Sequence, residues 1–156
     1  MPWGTGIEIS RRSDMAVGLR VLSVFIGVFL MLMGVSKTTW LTDGEILRSQ
    51  LVGWRDLAPA VSLWYLDTIA IPGSSVFSRL VFLGELATGA ALVLGYRQRL
   101  AATVALLMIV NFHFASGVIF TYGYLTNGYG LPVIGGLLAL ALGGSRLPYC
   151  VTVTSR

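Results

Sequence analysis

Apolar residues dominate four stretches of this chain, at about 15–36, 78–95, 100–119 and 125–142. Each comes close to the ~20 residues that a helix needs to cross a ~30 Å hydrocarbon layer, so the pattern predicts four transmembrane helices. The first begins like a signal peptide, with Arg11 and Arg12 ahead of the apolar run. Its apolar run is longer than a signal core, and Gly34-Val35-Ser36-Lys37-Thr38-Thr39-Trp40 offers no small-x-small cleavage site, which predicts a retained helix. The short turn Tyr96-Arg97-Gln98-Arg99 makes the second and third spans an antiparallel hairpin.

Between Lys37 and Phe77 the pattern changes. Lys37, Arg48 and Arg55 balance Asp43, Glu45, Asp56 and Asp67, and the apolar residues recur at helical spacing. Thr42 or Asp43 is placed to cap a short helix in which Leu47, Leu51 and Trp54 share one face, and Pro59 stops it. Trp40, Trp54, Trp64 and Tyr65 suit this segment to the outer headgroup layer. The expected fold is all-α: a polytopic membrane protein, with 1–156 as a single membrane domain. It is a four-transmembrane-helix bundle with an amphipathic outer-face helix between spans one and two.

Composition agrees. A chain of 156 residues with 55% hydrophobic and 12% charged residues, and a mean hydropathy of +0.79, is too apolar for a soluble domain. The formal charge of +4 arises from basic residues in short segments, and no basic face suited to nucleic acid emerges. Arg11, Arg12 and Arg20 lie at the first span, Arg97 and Arg99 in the turn between spans two and three, and Arg146 and Arg156 after the fourth. Basic loops stay cytoplasmic, so both termini are expected inside a cell membrane, with lipid and other membrane-protein subunits as partners. One cysteine, Cys150, and one histidine, His113, exclude an internal disulfide, a Cys-based iron–sulfur cluster, a multi-cysteine zinc site and a bis-histidine haem within this chain. No metal site is expected.

Against this background Glu85 stands out, a carboxylate inside the apolar run Leu80–Leu94. A charge at that depth costs roughly 3 kcal/mol on insertion scales, and such residues face a bundle interior and find a partner. Counted from Arg79 at ~1.5 Å per residue, Glu85 lies about 9 Å below the outer end of its span. His113, counted from Ile119, comes to the same depth. Lys37 closes the first span on that side, and its long stem can reach inward toward Glu85 as readily as snorkel outward. Gly84, Ala87, Thr88, Ala91 and Gly95 form a small-residue stripe beside Glu85, suited to close helix contact. Asn111 points about 200° away from His113 and belongs to another face. Tyr122, Tyr124, Asn127 and Tyr129 crowd the connection before the fourth span.

The candidate set is therefore Glu85 and His113 as proton-handling, catalytic groups, with Lys37, His113, Tyr122, Tyr124 and Tyr129 as cofactor-binding groups. Two readings of it stay open. Glu85 and His113 can serve a quinone headgroup, or they can lock helices together through an ion pair with Lys37 and an interhelical hydrogen bond. His113 can also supply one axial ligand to a chlorin or haem.

Arg20 opening span one, Gly34-Val35-Ser36-Lys37 closing it, and Gly84-Glu85-Leu86-Ala87-Thr88-Gly89 followed by Leu94-Gly95-Tyr96-Arg97 resemble the DoxX/DoxD-like small membrane proteins. The resemblance extends over about 16–142, and Lys37 and Glu85 match the family pattern position by position. The long aromatic connection departs from it. The resemblance implies a four-helix membrane bundle associated with membrane redox complexes, since the family includes the small subunit of an archaeal thiosulfate:quinone oxidoreductase. The expected function is an integral membrane accessory or anchor subunit of a redox-linked complex, contributing a quinone-headgroup site in the outer leaflet. The alternative is a structural, pigment-binding or lipid-binding subunit of a larger respiratory or photosynthetic complex. No soluble catalytic domain or nucleotide loop is present, which argues against an autonomous enzyme.

Overall fold

In the computed structural model the described residues are 5–144 and 147–150, with side chains described from Asp14 onward. All of their regular structure is helical. Arg146, Arg156 and the side chains of Arg11 and Arg12, on which part of the expected topology rests, lie outside the described residues.

Helix α1 (Thr5–Val35) is continuous, and its part from Asp14 to Val35 is long and apolar enough to cross a membrane. The same holds for α4 (Ser74–Leu94) and α5 (Gln98–Ala115). Between α1 and α4 lie a 3₁₀ turn (Thr38–Leu41), α2 (Glu45–Trp54), α3 (Ala60–Tyr65) and one wide turn of π-helix (Leu66–Ala70). These form a cap over one end of the molecule, and the α4–α5 turn marks the other end. The Asp43 carboxylate accepts the Glu45 N–H at 2.9 Å, and Leu47 and Leu51 face inward, as their spacing predicts. Pro59 does more than stop a helix, because it also starts α3 as its N-cap residue. Ser62 of α3, fully buried, donates to the Phe114 carbonyl at 2.6 Å and fastens the cap to the end of α5.

Two spans differ from expectation. The third ends at Ala115 instead of Ile119, because Gly117 adopts a left-handed conformation at φ +73° and the Pro59 ring packs against it. Glycine enters that region without the Cβ penalty that other residues meet. The fourth is broken. α6 (Gly123–Thr126) is one turn, residues 127–130 are irregular, and α7 (Leu131–Gly143) has 13 residues. At about 20 Å, α7 is shorter than the hydrocarbon layer, so among the described residues three helices and not four reach spanning length. Asn127 accounts for the break, since its side-chain oxygen accepts the Tyr129 N–H at 2.8 Å and closes a tight turn. Pro132 then stands in the first turn of α7, where its missing N–H costs nothing.

The four longer helices pack in a ring, in the order α1, α4, α5, α7. Ile26, Leu30, Leu92, Ala102, Leu137 and Leu140 fill its centre. A second cluster, with Trp40, Leu47, Leu51, Leu66, Val81 and Ala115, joins the cap to the bundle. The closest approach is between α1 and α4, where Gly27 and Gly89 face one another backbone to backbone.

At the turn end, Arg20 donates to the carbonyls of Leu92 at 2.8 Å and Val93 at 2.6 Å, while buried Ser23 donates to Leu92 and accepts from Gln98. A helix C-terminus leaves its last carbonyls unpaired and carries partial negative charge, so a guanidinium there satisfies both needs. Arg20→Met is expected to destabilise the protein by about 2 kcal/mol, the value of charge-assisted hydrogen bonds lost in a partly buried place. Thermal unfolding in mild detergent measures it.

Candidate functional site

Lys37 stands two residues past the end of α1, and Glu85 sits at the middle of α4. Side chains in a helix lean toward its N-terminus. α1 and α4 run in opposite directions, so Lys37 leans into the bundle and Glu85 leans toward the cap, and they meet. The Lys37 ammonium donates to Glu85 Oε1 and Oε2, each at 2.7 Å, and also reaches the Met33 carbonyl at 3.3 Å. Both side chains are only 13% exposed. The ammonium also lies 5.6 Å from the centre of the Trp40 ring, within cation–π range.

The pair forms part of the wall of a cavity of about 210 Å³ enclosed by α1, the cap, α4 and α5. Another part of the wall is aromatic. Trp40 stacks on Phe112 at 6.4 Å, and Trp54 meets the same ring edge-on at 5.9 Å. Leu30, Met33, Ala105, Met108 and Ile109 make the remainder apolar, and Gln50 stands at the cap side. Thr88 lines the cavity but spends its hydroxyl on the Gly84 carbonyl at 2.6 Å.

His113 lines the same cavity. It does not share the depth of Glu85. α4 begins at Ser74, not Arg79, and α5 ends at Ala115, so Glu85 is some 16 Å from the start of its helix and His113 only about 3 Å from the end of its own. Gly84 packs on Met108, which sets the two levels about 9 Å apart along the bundle. The directions of the two helices narrow this gap, because His113 leans inward on α5 while Glu85 leans outward on α4.

The three tyrosines separate into different roles. Tyr124 is buried and does not line the cavity; its hydroxyl oxygen lies 3.0 Å from His113 Nδ1, and the two rings meet edge-on at 5.2 Å. Burial pushes the Tyr124 phenol above its usual value. Tyr129 reaches the cavity and stacks on Phe29 of α1 at 5.9 Å, while remaining 60% exposed. Tyr122, expected among the cofactor-binding groups, is 82% exposed and does not line this cavity. It precedes the single-turn α6 as its N-cap residue. Asn111 faces away from His113, as helical phase requires, and accepts a hydrogen bond from the Tyr65 hydroxyl at 2.7 Å.

Two groups expected at the headgroup layer belong instead to the site. Trp40 is 6% exposed and Trp54 half-buried, both turned inward, whereas Trp64 does face outward. The spacing Lys37-x-x-Trp40 carried a hint of this, since residues three apart on a tight turn share a side. Phe112 gave no such sign within its apolar run. Among the described residues, no group of three or more His, Cys, Asp or Glu side chains is placed to hold a metal ion. Comparisons with protein-family models, with curated proteins and with solved structures find no match for this chain.

Proposed function

We propose that this chain is a four-span integral subunit of the cell membrane, with both termini cytoplasmic, that binds a quinone headgroup in the cavity between α1, α4 and α5 and serves a redox-linked complex. The observation that carries this reading is the joint presence of the Lys37–Glu85 pair and His113 on one aromatic-walled cavity. A quinone headgroup is a flat ring with oxygens at its edges; stacked aromatic walls suit the ring, and buried ionisable groups are the ones able to exchange its protons. The volume favours a single ring. Pockets for drug-sized ligands occupy ~300–1,000 Å³, and about 210 Å³ is below that range, so we prefer a quinone over the chlorin or haem that His113 alone would allow. With one cysteine and one histidine in the chain, electrons would reach the quinone from a partner subunit. The resemblance to DoxX/DoxD-like proteins points the same way.

Trp40 and Trp54 provide the test, because a quinone seated against them quenches indole fluorescence. Titration of the full chain in nanodiscs with a short-tailed benzoquinone is expected to give saturable quenching, and His113→Ala to weaken binding about tenfold through one lost hydrogen bond to a polar group. Absence of saturable quenching would sink the proposal.

A further inference from the structure

Counting the donors and acceptors that the cavity has left to offer discriminates between the two redox forms of such a ligand. Lys37 has three N–H donors, and its contacts with Glu85 Oε1, Glu85 Oε2 and the Met33 carbonyl engage them. It has little left for a ligand. Glu85 keeps unused lone pairs, since a carboxylate accepts about four hydrogen bonds and Lys37 supplies two. At one end of the cavity, then, the available group only accepts. Thr88 and Ser116, which also line it, are committed to the carbonyls of Gly84 and His113.

At the other end the chemistry is reversed. Tyr124 is a buried residue, and the hydrogen-bond partner of its hydroxyl among the described residues is His113 Nδ1. With Nδ1 as the partner of that hydroxyl among the described residues, we take the tautomer in which the phenol O–H donates to Nδ1. Nδ1 then carries no proton, and the neutral imidazole bears it on Nε2. Tyr124 acts in this way as a positioning residue that makes His113 a donor.

The geometry points to a site that selects the reduced ligand: a dihydroxy aromatic, the quinol, in preference to the dicarbonyl quinone. A quinol hydroxyl donates to Glu85, and its opposite oxygen accepts from His113 Nε2–H. The quinone presents carbonyl oxygens at both ends, so at Glu85 an acceptor faces an acceptor and one polar contact is repulsive. Both forms fill the same volume and stack alike on Trp40 and Phe112; the Gln50 amide and Tyr129 hydroxyl, which also line the cavity, can donate as well as accept, and the Trp40 and Trp54 indole N–H groups can donate to the oxygens of either form, so the carboxylate is the group that discriminates.

This inference rests on the quinone-site reading, and one set of measurements tells their failures apart. The full chain in nanodiscs is titrated anaerobically with a short-tailed benzoquinone and, separately, with its quinol held reduced. Quinol affinity is expected to exceed quinone affinity on the order of tenfold, the scale of one hydrogen bond to a charged group. That ratio raises the two-electron midpoint potential of the bound couple by about 30 mV. Glu85→Gln, whose amide donates as well as accepts, is expected to bring the two affinities within about threefold. Equal affinities in the wild-type protein, or tighter binding of the quinone, overturn the inference and leave the site standing. Binding of neither form overturns both. The wild-type ratio requires no variant to fold, and a ratio unchanged in a folded Glu85→Gln protein removes Glu85 as the discriminator.

Discussion

Lys37→Met is expected to destabilise the protein by about 3 kcal/mol in mild detergent, while the double variant Lys37→Met, Glu85→Leu recovers most of that loss. The single change strands a carboxylate that is 13% exposed among Phe29, Leu30, Met33 and Met108, with its only salt-bridge partner among the described residues removed. Breaking one side of a buried pair costs about 3–5 kcal/mol for that reason, whereas replacing both charges by apolar side chains of similar size is often neutral. The two substitutions are therefore strongly non-additive, with a coupling of at least about 2 kcal/mol. Equilibrium unfolding of the four members of the cycle measures it. If the double variant is as stable as the wild-type protein yet no longer binds quinone, the pair is maintained for the ligand. If all four are equally stable, the pair contributes nothing to the fold, and its geometry needs another cause.

The meeting of Lys37 with Glu85 was legible in the sequence because it depended on few quantities: an isolated charge in an apolar helix, a second at the end of another, and the antiparallel course of the chain. The cap helix was legible from Leu47, Leu51 and Trp54 at one helical face. Depth was less so. Apolar runs continue past helix ends, and only the left-handed turn at Gly117 and the side-chain turn at Asn127 show where α5 stops and the last span breaks. Hydropathy records what lies in an apolar setting, not where backbone hydrogen bonding ceases, so His113 was placed about 6 Å too far from the end of its helix. The tryptophans failed for a related reason. Trp40 and Trp54 have the composition of headgroup anchors, and only the fold of the connection turns them over the cavity. Tyr124 was listed beside Tyr122 and Tyr129 as one aromatic group, because a single turn of helix is too short for periodicity to separate the inward residue from the outward ones.

Gly89→Ala is expected to destabilise the protein by about 1–3 kcal/mol, although alanine is the better helix former by about 1 kcal/mol. A Cβ on Gly89 falls 2.7 Å from the Gly27 carbonyl oxygen and 2.9 Å from the Met31 nitrogen; one on Gly27 falls 2.7 Å from the Gly89 carbonyl oxygen and 2.9 Å from the Val93 nitrogen. These are backbone atoms, and relief requires α1 and α4 to move apart. Gly136 makes the contrast. Its would-be Cβ meets the flexible end of Ile26 at 2.6 Å, so Gly136→Ala is relieved by a change of rotamer, and Gly135→Ala meets nothing within 4 Å. Stability in detergent should therefore rank Gly135→Ala above Gly136→Ala and both above Gly89→Ala, whereas helix propensity alone gives the same gain at all three positions. The double variant Gly27→Ala, Gly89→Ala should cost less than the sum of its parts, since one separation of the helices relieves both clashes. The seam also sets the site. Gly89 lies one turn from Glu85, and Lys37 comes from α1, so spreading α1 from α4 lengthens the 2.7 Å ion pair and opens that side of the cavity. Gly89→Ala should then weaken quinone binding as well as the fold, whereas Gly136→Ala leaves binding unchanged. A Gly89→Ala protein at least as stable as the wild type would mean that the two helices are free to separate at no cost, and that the glycines are not what brings Lys37 to Glu85.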